Sequence, residues 1–171
     1  MSKKAFTSEQ RRTTKDARRT PSFKGLSPAS DASSRVMKMN RSTDTSHECL
    51  LRSILFRHGF RFRKNVRSLP GKPDIVFAAA RVIVFCDGDF WHGRDWQQRL
   101  KKLSDGTNPS YWISKIKANR SRDRRNNRLL SQRRWTVIRI WETEIRKNPE
   151  RVASRIEKTI HESLQRLEAI R

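Results

Sequence analysis

The sequence predicts an α/β fold in which a central mixed sheet is flanked by helices in three layers. Three segments rich in β-branched and aromatic residues, 75–77, 82–85 and 135–141, have the composition of buried strands. With a shorter strand at 60–64 and helical segments around them, the order is α-β-β-β-α-β-α. Strands and helices interspersed in this way favour helices packed on a sheet. The chain of 171 residues has the length of one domain with a tail.

Charge is the strongest signal in the composition. Lys and Arg number 40 against 17 Asp and Glu, for a net charge of +23. Such a chain is expected to bind a polyanion, with nucleic acid as the first expectation and a membrane surface as the second. No stretch approaches the roughly 18 apolar residues of a spanning helix, so we expect no membrane association.

The two cysteines, Cys49 and Cys86, form no CxxC pattern and no disulfide framework. Their plain interpretation is that of small buried residues. We therefore expect a reducing, cytoplasmic setting, in association with the nucleoid if the polyanion is DNA.

Residues 1–34 are basic, rich in Ser, Thr and Pro, and poor in apolar residues. This composition predicts a disordered basic arm, followed by a folded domain at residues 35–171. The arm serves either as a solubilising tail or as electrostatic help on DNA. Its Arg- and Ser-rich composition also resembles an organelle transit peptide, but it lacks the apolar run of a secretory signal.

The first helix is predicted in residues 47–59, where Leu51, Ile54 and Leu55 recur at helical spacing. Either Asp44 or Thr45 can cap it, and a glycine ends it. Glu48 lies on or near the apolar stripe of this helix. It is either a first-turn acid favoured by the helix dipole or a carboxylate directed into a site.

A β-hairpin is predicted at residues 74–87, with a turn at 78–81. Asp74 comes directly before its first strand, and Asp87 follows the second. Because the start of one strand lies beside the end of the other, the two carboxylates converge at one end of the sheet. Carboxylate oxygens suit Mg²⁺, so this end is a candidate metal site.

The loop after the hairpin carries Phe90, Trp91 and His92. A histidine beside candidate metal-binding acids can act as a general acid or base near neutral pH, although a histidine after tryptophan is often structural. The two aromatic side chains can pack under the sheet or wedge into a stack of bases.

A long helix is predicted at residues 110–133, after a short helix at 95–103 and a clear break at 105–109. Its apolar positions share a face with Asp123, which is therefore an inward acid or a partner in surface ion pairs with neighbouring arginines. Basic residues on its other faces suit phosphate contacts. The last helix is predicted to begin at Pro149 with Asn148 as its cap.

Five segments together resemble the very short patch repair (Vsr) endonuclease family, a branch of the PD-(D/E)XK restriction-endonuclease-like fold. They are TSHECLL, PGKPDIVF, VIVFCDGDFWHG, NRSRDRRNNRLL and WTVIRIWE, which occur in the family's order within roughly residues 35–144. The resemblance implies an enzyme that nicks DNA 5′ to the thymine of a T:G mismatch left by deamination of 5-methylcytosine.

The resemblance also implies a metal site with Mg²⁺ as the cofactor. Asp74 matches the family's metal-binding aspartate, and Cys86 matches a position that offers its backbone carbonyl to the metal. Asp87 stands where the best-known member has histidine, and an acid there is expected to strengthen metal binding.

The remaining catalytic candidates follow the same resemblance. His92 matches the catalytic histidine, Asp123 a carboxylate that orients it, and Glu48 the glutamate of the first helix. The side chains expected to contact DNA are Phe90 and Trp91 as wedges, with Lys72, Arg120, Arg124 and Arg125 as basic contacts.

The best-known member of the family also holds a structural zinc ion. The corresponding places here are occupied by Asp89, Arg94, Trp96 and Thr143. Because structural zinc sites need Cys or His ligands, we expect no zinc and a loop held by packing, in which Trp96 takes part.

The leading hypothesis is thus a Mg²⁺-dependent endonuclease that nicks double-stranded DNA at T:G mismatches, acting as a monomer alongside mismatch-repair proteins. One alternative is a homing- or restriction-type nuclease of the same fold that cuts a specific duplex. The other is an inactive, DNA-binding relative.

Overall fold

The computed structural model describes residues 21–28, 30, 31, 35 and 43–169. Most of the predicted arm, with its boundary at residue 34, lies outside these residues. The elements are α1 (Ser46–Arg57), β1 (Arg63–Lys64), β2 (Ile75–Phe77), β3 (Val82–Asp87), α2 (Trp96–Ser104), α3 (Pro109–Gln132), β4 (Thr136–Trp141), α4 (Glu142–Lys147) and α5 (Pro149–Glu168). The predicted order of elements is confirmed, with α4 as an addition that the sequence did not indicate.

The four strands form one mixed sheet in the order β1-β2-β3-β4. The first two pairings are antiparallel, and β3 pairs with β4 in parallel. In the predicted hairpin, Ile75 lies opposite Val84, and the turn closes through the N–H of Arg81, which donates to the carbonyl of Ala78 at 3.1 Å. The strand β3 runs two residues further than expected and ends at Asp87, whereas β1 is shorter than the predicted 60–64.

Helices cover both faces of the sheet, which gives the three expected layers. On one face, alternate residues of β2 and β3 pack with α1 and α5 around Leu51 and Ile156. On the other face, Val76, Ile83 and Phe85 pack with Leu130 of α3. Because both faces are covered, every residue of β3 is buried, including its terminal aspartate.

The ends of the last helix agree with the prediction. Asn148 precedes Pro149, and its side chain accepts a hydrogen bond from the N–H of Arg151 at 3.3 Å. This contact satisfies one of the free backbone donors at the start of α5. Among the described residues, no helix combines the length and the apolar character needed to cross a membrane.

The packing of α3 can be tested with two adjacent leucines. Leu130 is completely buried, so Leu130→Ala is expected to lower the free energy of unfolding by about 2–5 kcal/mol. Leu129 is 38 % exposed and provides the matched control, with an expected loss below about 1 kcal/mol. Urea unfolding followed by circular dichroism measures both. Equal losses would contradict the docking of α3 through Leu130.

Candidate active site

The structure brings the predicted catalytic side chains into one cleft. The cleft has a volume of about 1170 Å³ and lies where α1 and α3 meet the end of β3 and the start of β2. Its lining includes all of the acids and the histidine expected from the sequence, namely Glu48, Asp74, Asp87, His92 and Asp123. Residues far apart in the chain therefore share one concave surface, as a catalytic site requires.

Asp74 is fixed at the start of β2. One of its carboxylate oxygens, Oδ2, accepts a hydrogen bond from the backbone N–H of Cys86 at 2.7 Å, which links the two strands of the hairpin. Burial, with smaller contributions from the charges of Glu48 and Asp87, raises the pKa of Asp74 to about 7. Within the described residues, no Lys or Arg forms an ion pair with this carboxylate. Asp74 is thus a partly exposed, strongly desolvated acid without an ion pair among the described residues.

Glu48 is both a first-turn acid of α1 and a carboxylate that lines the cleft. It is 3 % exposed and lines the cleft, yet it also accepts hydrogen bonds from the N–H of Asp44 at 2.9 Å and from the hydroxyl of Thr45 at 2.7 Å. Arg52, one turn further along α1, lies 3.8 Å from it. The start of α1 therefore fixes the glutamate at the edge of the cleft.

His92 and Asp123 are paired, as the resemblance implies. The imidazole Nδ1 lies 2.7 Å from Oδ2 of Asp123. Burial would raise the pKa of Asp123, but the hydrogen bond to His92 and the charges of His92 and Arg139 hold that pKa below its ordinary value. The carboxylate is thus directed to the histidine rather than to the arginines that neighbour it along α3.

The loop that carries His92 is attached to α3 by two hydrogen bonds. Asn119 donates to the carbonyl of Trp91 at 2.9 Å, and Arg120 donates to the carbonyl of Gly93 at 2.8 Å. Gly93 has a φ of +67°, and a Cβ at this position would come within 2.8 Å of Ile116. Only glycine allows the loop to lie this close to the helix.

Arg139 is a central side chain of the site that sequence reasoning missed. Its Nε and Nη2 donate to the two oxygens of Asp87 at 2.6 and 2.5 Å, and Nη2 lies 3.2 Å from Oδ1 of Asp123. The available signal was a charged residue in the middle of an apolar strand, WTVIRIW. Its partners come from β3 and α3, so the pattern of β4 alone does not identify them.

The donor atoms in the cleft fit a hard divalent cation. Among the described residues, no three His, Cys, Asp or Glu side chains are arranged as a complete metal cage. Mg²⁺ in nucleic-acid enzymes needs only one or two carboxylates, with water and phosphate oxygens as its other ligands. Burial, followed by the charges of Glu48 and Asp87, raises the pKa of Asp74, and a divalent cation beside its carboxylate would offset these effects. The metal roles of Asp74, Asp87 and the Cys86 carbonyl stay predictions.

The thiol of Cys86 is not a candidate nucleophile. Burial, followed by the charges of Asp74 and Glu48, raises the pKa of this thiol well above its ordinary value. The side chain packs in the core on the α1 and α5 face of the sheet. The buried thiol is therefore not available for chemistry, and the metal role of the backbone carbonyl stays a prediction.

Phe90 and Trp91 lie beside the cleft rather than under the sheet. They contact each other at 5.1 Å between ring centroids, and Trp112 of α3 lies 5.3 Å from Phe90 and 6.0 Å from Trp91. Tyr111 extends this aromatic cluster, and Phe23 contacts both Tyr111 and Trp112. Both loop aromatics are partly exposed. The structure removes the first of the two alternatives, packing under the sheet, while the DNA wedge stays a prediction.

The predicted basic contacts occupy different environments. Lys72 is exposed and lines the cleft. Arg120 is half-buried, with its guanidinium 5.3 Å from the ring of Trp96, so it holds the loop in addition to any contact with DNA. Arg124 and Arg125 are exposed on α3 away from the cleft lining. Among the described residues, five further cations line the cleft and were not among the predicted contacts: Arg67, Lys115, Arg122, Arg139 and Arg146.

The side chains at the four positions considered for zinc take part in hydrogen bonds and packing contacts. Asp89 accepts from both the hydroxyl and the N–H of Thr143, and its carboxylate lies 3.6 Å from the guanidinium of Arg94. Trp96 packs with Arg120. These contacts join the loop to α4 and α3 without Cys or His side chains. The absence of zinc stays a prediction.

Known proteins resemble this chain over most of its length. A family model described as DNA mismatch endonuclease Vsr matches residues 29–98. The type II nicking enzyme V.HpaIIP of Haemophilus parainfluenzae is 39 % identical over 123 residues, which are 72 % of this chain and 86 % of that protein. The type II nicking enzyme V.NaeI of Lentzea aerocolonigenes is 42 % identical over 122 residues, covering 68 % and 71 %. The DNA mismatch endonuclease Vsr of Escherichia coli K12 is 36 % identical over 113 residues, covering 66 % and 70 %.

Together with the acidic, histidine-containing cleft in a strongly basic chain, these likenesses define a DNA endonuclease. The chain belongs to the Vsr family of endonucleases.

The pKa of Asp74 predicts how the metal-free protein responds to pH. The unfolded chain loses this proton near pH 3.8, whereas the folded protein keeps it up to about pH 7. Between these values the folded state binds more protons, so rising pH lowers its stability by up to roughly 1.4 kcal/mol per pH unit. Because asparagine does not ionise, the stability of Asp74→Asn relative to the native protein is expected to increase from pH 4 to pH 8.

Thermal unfolding in the presence of EDTA measures this difference. The control is Asp105→Asn, which changes an exposed acid outside the cleft. The change in its stability relative to the native protein between pH 4 and pH 8 provides the baseline. A change for Asp74→Asn no larger than this baseline would contradict the raised pKa.

Proposed function

We propose that this endonuclease nicks double-stranded DNA on the 5′ side of the thymine in T:G mismatches, with Mg²⁺ as its cofactor. The observation that carries the proposal is the hydrogen-bonded His92–Asp123 pair in the same cleft as the cation-deficient carboxylate of Asp74. The likeness to a protein named a DNA mismatch endonuclease supports the target. The likeness to proteins named nicking enzymes supports cleavage of one strand.

Asp74 and the backbone carbonyl of Cys86 would hold the cation, with Glu48 close enough to act directly or through water. When bound, Mg²⁺ polarises the scissile phosphate and lowers the pKa of bound water. The hydrogen bond from the Cys86 N–H already fixes one oxygen of Asp74, so its carboxylate orientation does not depend on the metal. A cation held by these groups would place the scissile phosphate at this part of the cleft.

His92 would move the proton that phosphodiester hydrolysis requires. Because its Nδ1 is hydrogen-bonded to Asp123, the other nitrogen, Nε2, remains for a water molecule or the leaving oxygen. The loop contacts with Asn119 and Arg120 hold the ring in this position. Such fixed geometry lets the histidine accept or donate a proton without reorganisation.

The aromatic cluster next to the cleft would recognise the mismatch. Unstacking costs less at a mismatched pair than at a matched one, so a wedge of Phe90 and Trp91 selects the weaker step. An edge-to-face contact of Phe90 with Trp112 and a tilted contact of Trp91 with Trp112 hold the two rings beside the cleft. Lys72 and the arginines of α3 would bind the flanking phosphates, which do not report sequence.

The target is tested with matched and T:G duplexes of otherwise identical sequence. The native protein is expected to nick the T:G duplex in one strand in the presence of Mg²⁺ and to leave the matched duplex intact. Asp74→Ala is expected to lose the activity, while binding of either duplex persists. Cleavage of the matched duplex at a similar rate would favour the sequence-specific nuclease, and binding without any metal-dependent cleavage would favour the inactive relative.

The wedge is tested by removing one ring. Trp91→Ala is expected to weaken binding to the T:G duplex by about 10–100-fold, as the loss of one stacking contact implies. Binding to the matched duplex should change much less, because phosphate contacts dominate it. Phe56→Ala, which removes an exposed ring on α1, is the control. Fluorescence anisotropy measures all affinities at one salt concentration; an equal loss on both duplexes would contradict mismatch recognition by Trp91.

A further inference from the structure

The guanidinium of Arg139 is held by groups from three elements. Two of its nitrogens donate to Asp87 of β3, at 2.6 and 2.5 Å. From α3, Asn127 accepts from Nη1 at 3.3 Å, and Asp123 lies 3.2 Å from Nη2. The plane of the group lies over the ring of Phe85, 4.7 Å from its centroid. This planar, forked arrangement suits arginine and not lysine.

Asp87 has a different environment from Asp74, although both were expected to bind metal. Both oxygens of Asp87 accept hydrogen bonds from the permanently charged guanidinium of Arg139, and Asp87 is only 3 % exposed. A divalent cation at these oxygens would lie beside the positive charge of Arg139, which repels it. Asp74 has no such partner within the described residues. The compensating cation of Asp87 is therefore already part of the protein.

We propose that Arg139 is a positioning residue of the nuclease reaction, and that Asp87 acts by holding Arg139 rather than by binding the metal. Arg139 fixes Oδ1 of Asp123, which leaves Oδ2 to meet Nδ1 of His92 at 2.7 Å. The order of contacts is thus Asp87, Arg139, Asp123 and His92. Asp87 and Arg139 therefore affect the reacting atoms only through Asp123 and His92.

The approach of Arg139 to His92 fits this order. Nη2 of Arg139 lies 3.3 Å from Nδ1 of His92, but a nitrogen whose proton is directed to Asp123 cannot also accept one. The two groups therefore share Asp123 as a common acceptor. The role of Arg139 is to orient that acceptor, and this inference applies whether the duplex is mismatched or matched.

A double-mutant cycle on the cleavage step tests the proposal in the full-length protein. Asp87→Asn, Arg139→Gln and the combination of both are compared under single-turnover conditions on whichever duplex the native protein cleaves. Each single change is expected to slow cleavage by about 100-fold, as a small misplacement of a catalytic group does, while duplex affinity stays within about threefold. The combined variant should be no slower than the slower single variant. Multiplied losses would overturn the proposal, because they would mean that Asp87 acts independently of Arg139.

The single Arg139→Gln change leaves Asp87 buried without a cation, and this variant can fail to fold. The combined variant removes both charges, so it keeps the test informative and should unfold at a higher temperature than Arg139→Gln. Arg139→Lys, which keeps the charge but not the fork, is expected to recover stability more than rate. Arg155→Gln, at an exposed ion pair with Glu144, controls for loss of an arginine.

Two measurements without cleavage separate this proposal from the proposed function. Mn²⁺ binding, followed by electron paramagnetic resonance, should be weakened by Asp74→Asn and left within about twofold by the combined Asp87→Asn and Arg139→Gln change. The ¹⁵N resonance of the His92 Nδ1, assigned with His92→Gln, should shift in Arg139→Gln and not in Arg155→Gln. Loss of Mn²⁺ binding in the combined variant, or an unchanged His92 resonance in Arg139→Gln, would overturn the inference even if no duplex were cleaved.

Discussion

The site depends on the convergence of three carboxylates that the fold brings together and only partly neutralises. The hairpin register joins Asp74 to the backbone of Cys86, directly before Asp87, and α1 adds Glu48 from the edge of the cleft. Burial makes this arrangement costly, because desolvation and mutual repulsion both disfavour the ionised forms. The pKa of Asp74, raised to about 7, is the direct expression of that cost. A sheet with helices on both faces produces it, since an open sheet would leave these acids in water.

Much of this arrangement follows from the sequence. Period-two patterning and a short turn predict that Asp74 and Asp87 converge, and the 3.6-residue period predicts that Asp123 faces inward on a long helix. Both rules are local, and the structure agrees with both. The hairpin rule works because Asp74 and Asp87 lie beside apolar strand residues that are buried, and the helix rule works because Asp123 shares a face with the buried Ile116 and Leu130.

Arg139 could not be predicted in the same way, because its partners belong to β3 and α3. The pattern of β4 predicts only that one position of the strand faces the long helix. Which charged side chains contact that position depends on the parallel register between β3 and β4, in which Arg139 lies opposite Phe85. The placement of Arg120 was missed for a related reason. A run of arginines on a helix looks uniformly suited to phosphates, yet one of them hydrogen-bonds the carbonyl of Gly93.

The aromatic cluster extends from the loop beside the cleft to a segment of the predicted arm. Phe23 contacts Tyr111 and Trp112, and the side chain of Asn108 donates to the carbonyl of Ser27 at 2.7 Å. The segment 21–28, which looked too poor in apolar residues to pack, is therefore attached to the start of α3. Phe23 meets the ring of Tyr111 edge-to-face, a contact that is favourable beyond the buried area. This part of the predicted arm is thus joined to the same helix that carries Asp123.

The acids of the cleft differ in whether an arginine of the protein neutralises them. Asp87 and Asp123 have a guanidinium within 3.2 Å, which is a permanent charge that cannot leave during the reaction. Glu48 shares Arg52 at the longer distance of 3.8 Å. Asp74, the acid most firmly fixed by the backbone of β3, has no ion pair within the described residues. Because arginine already neutralises Asp87 and Asp123, Asp74 is the acid of the cleft at which a bound cation would relieve the most charge.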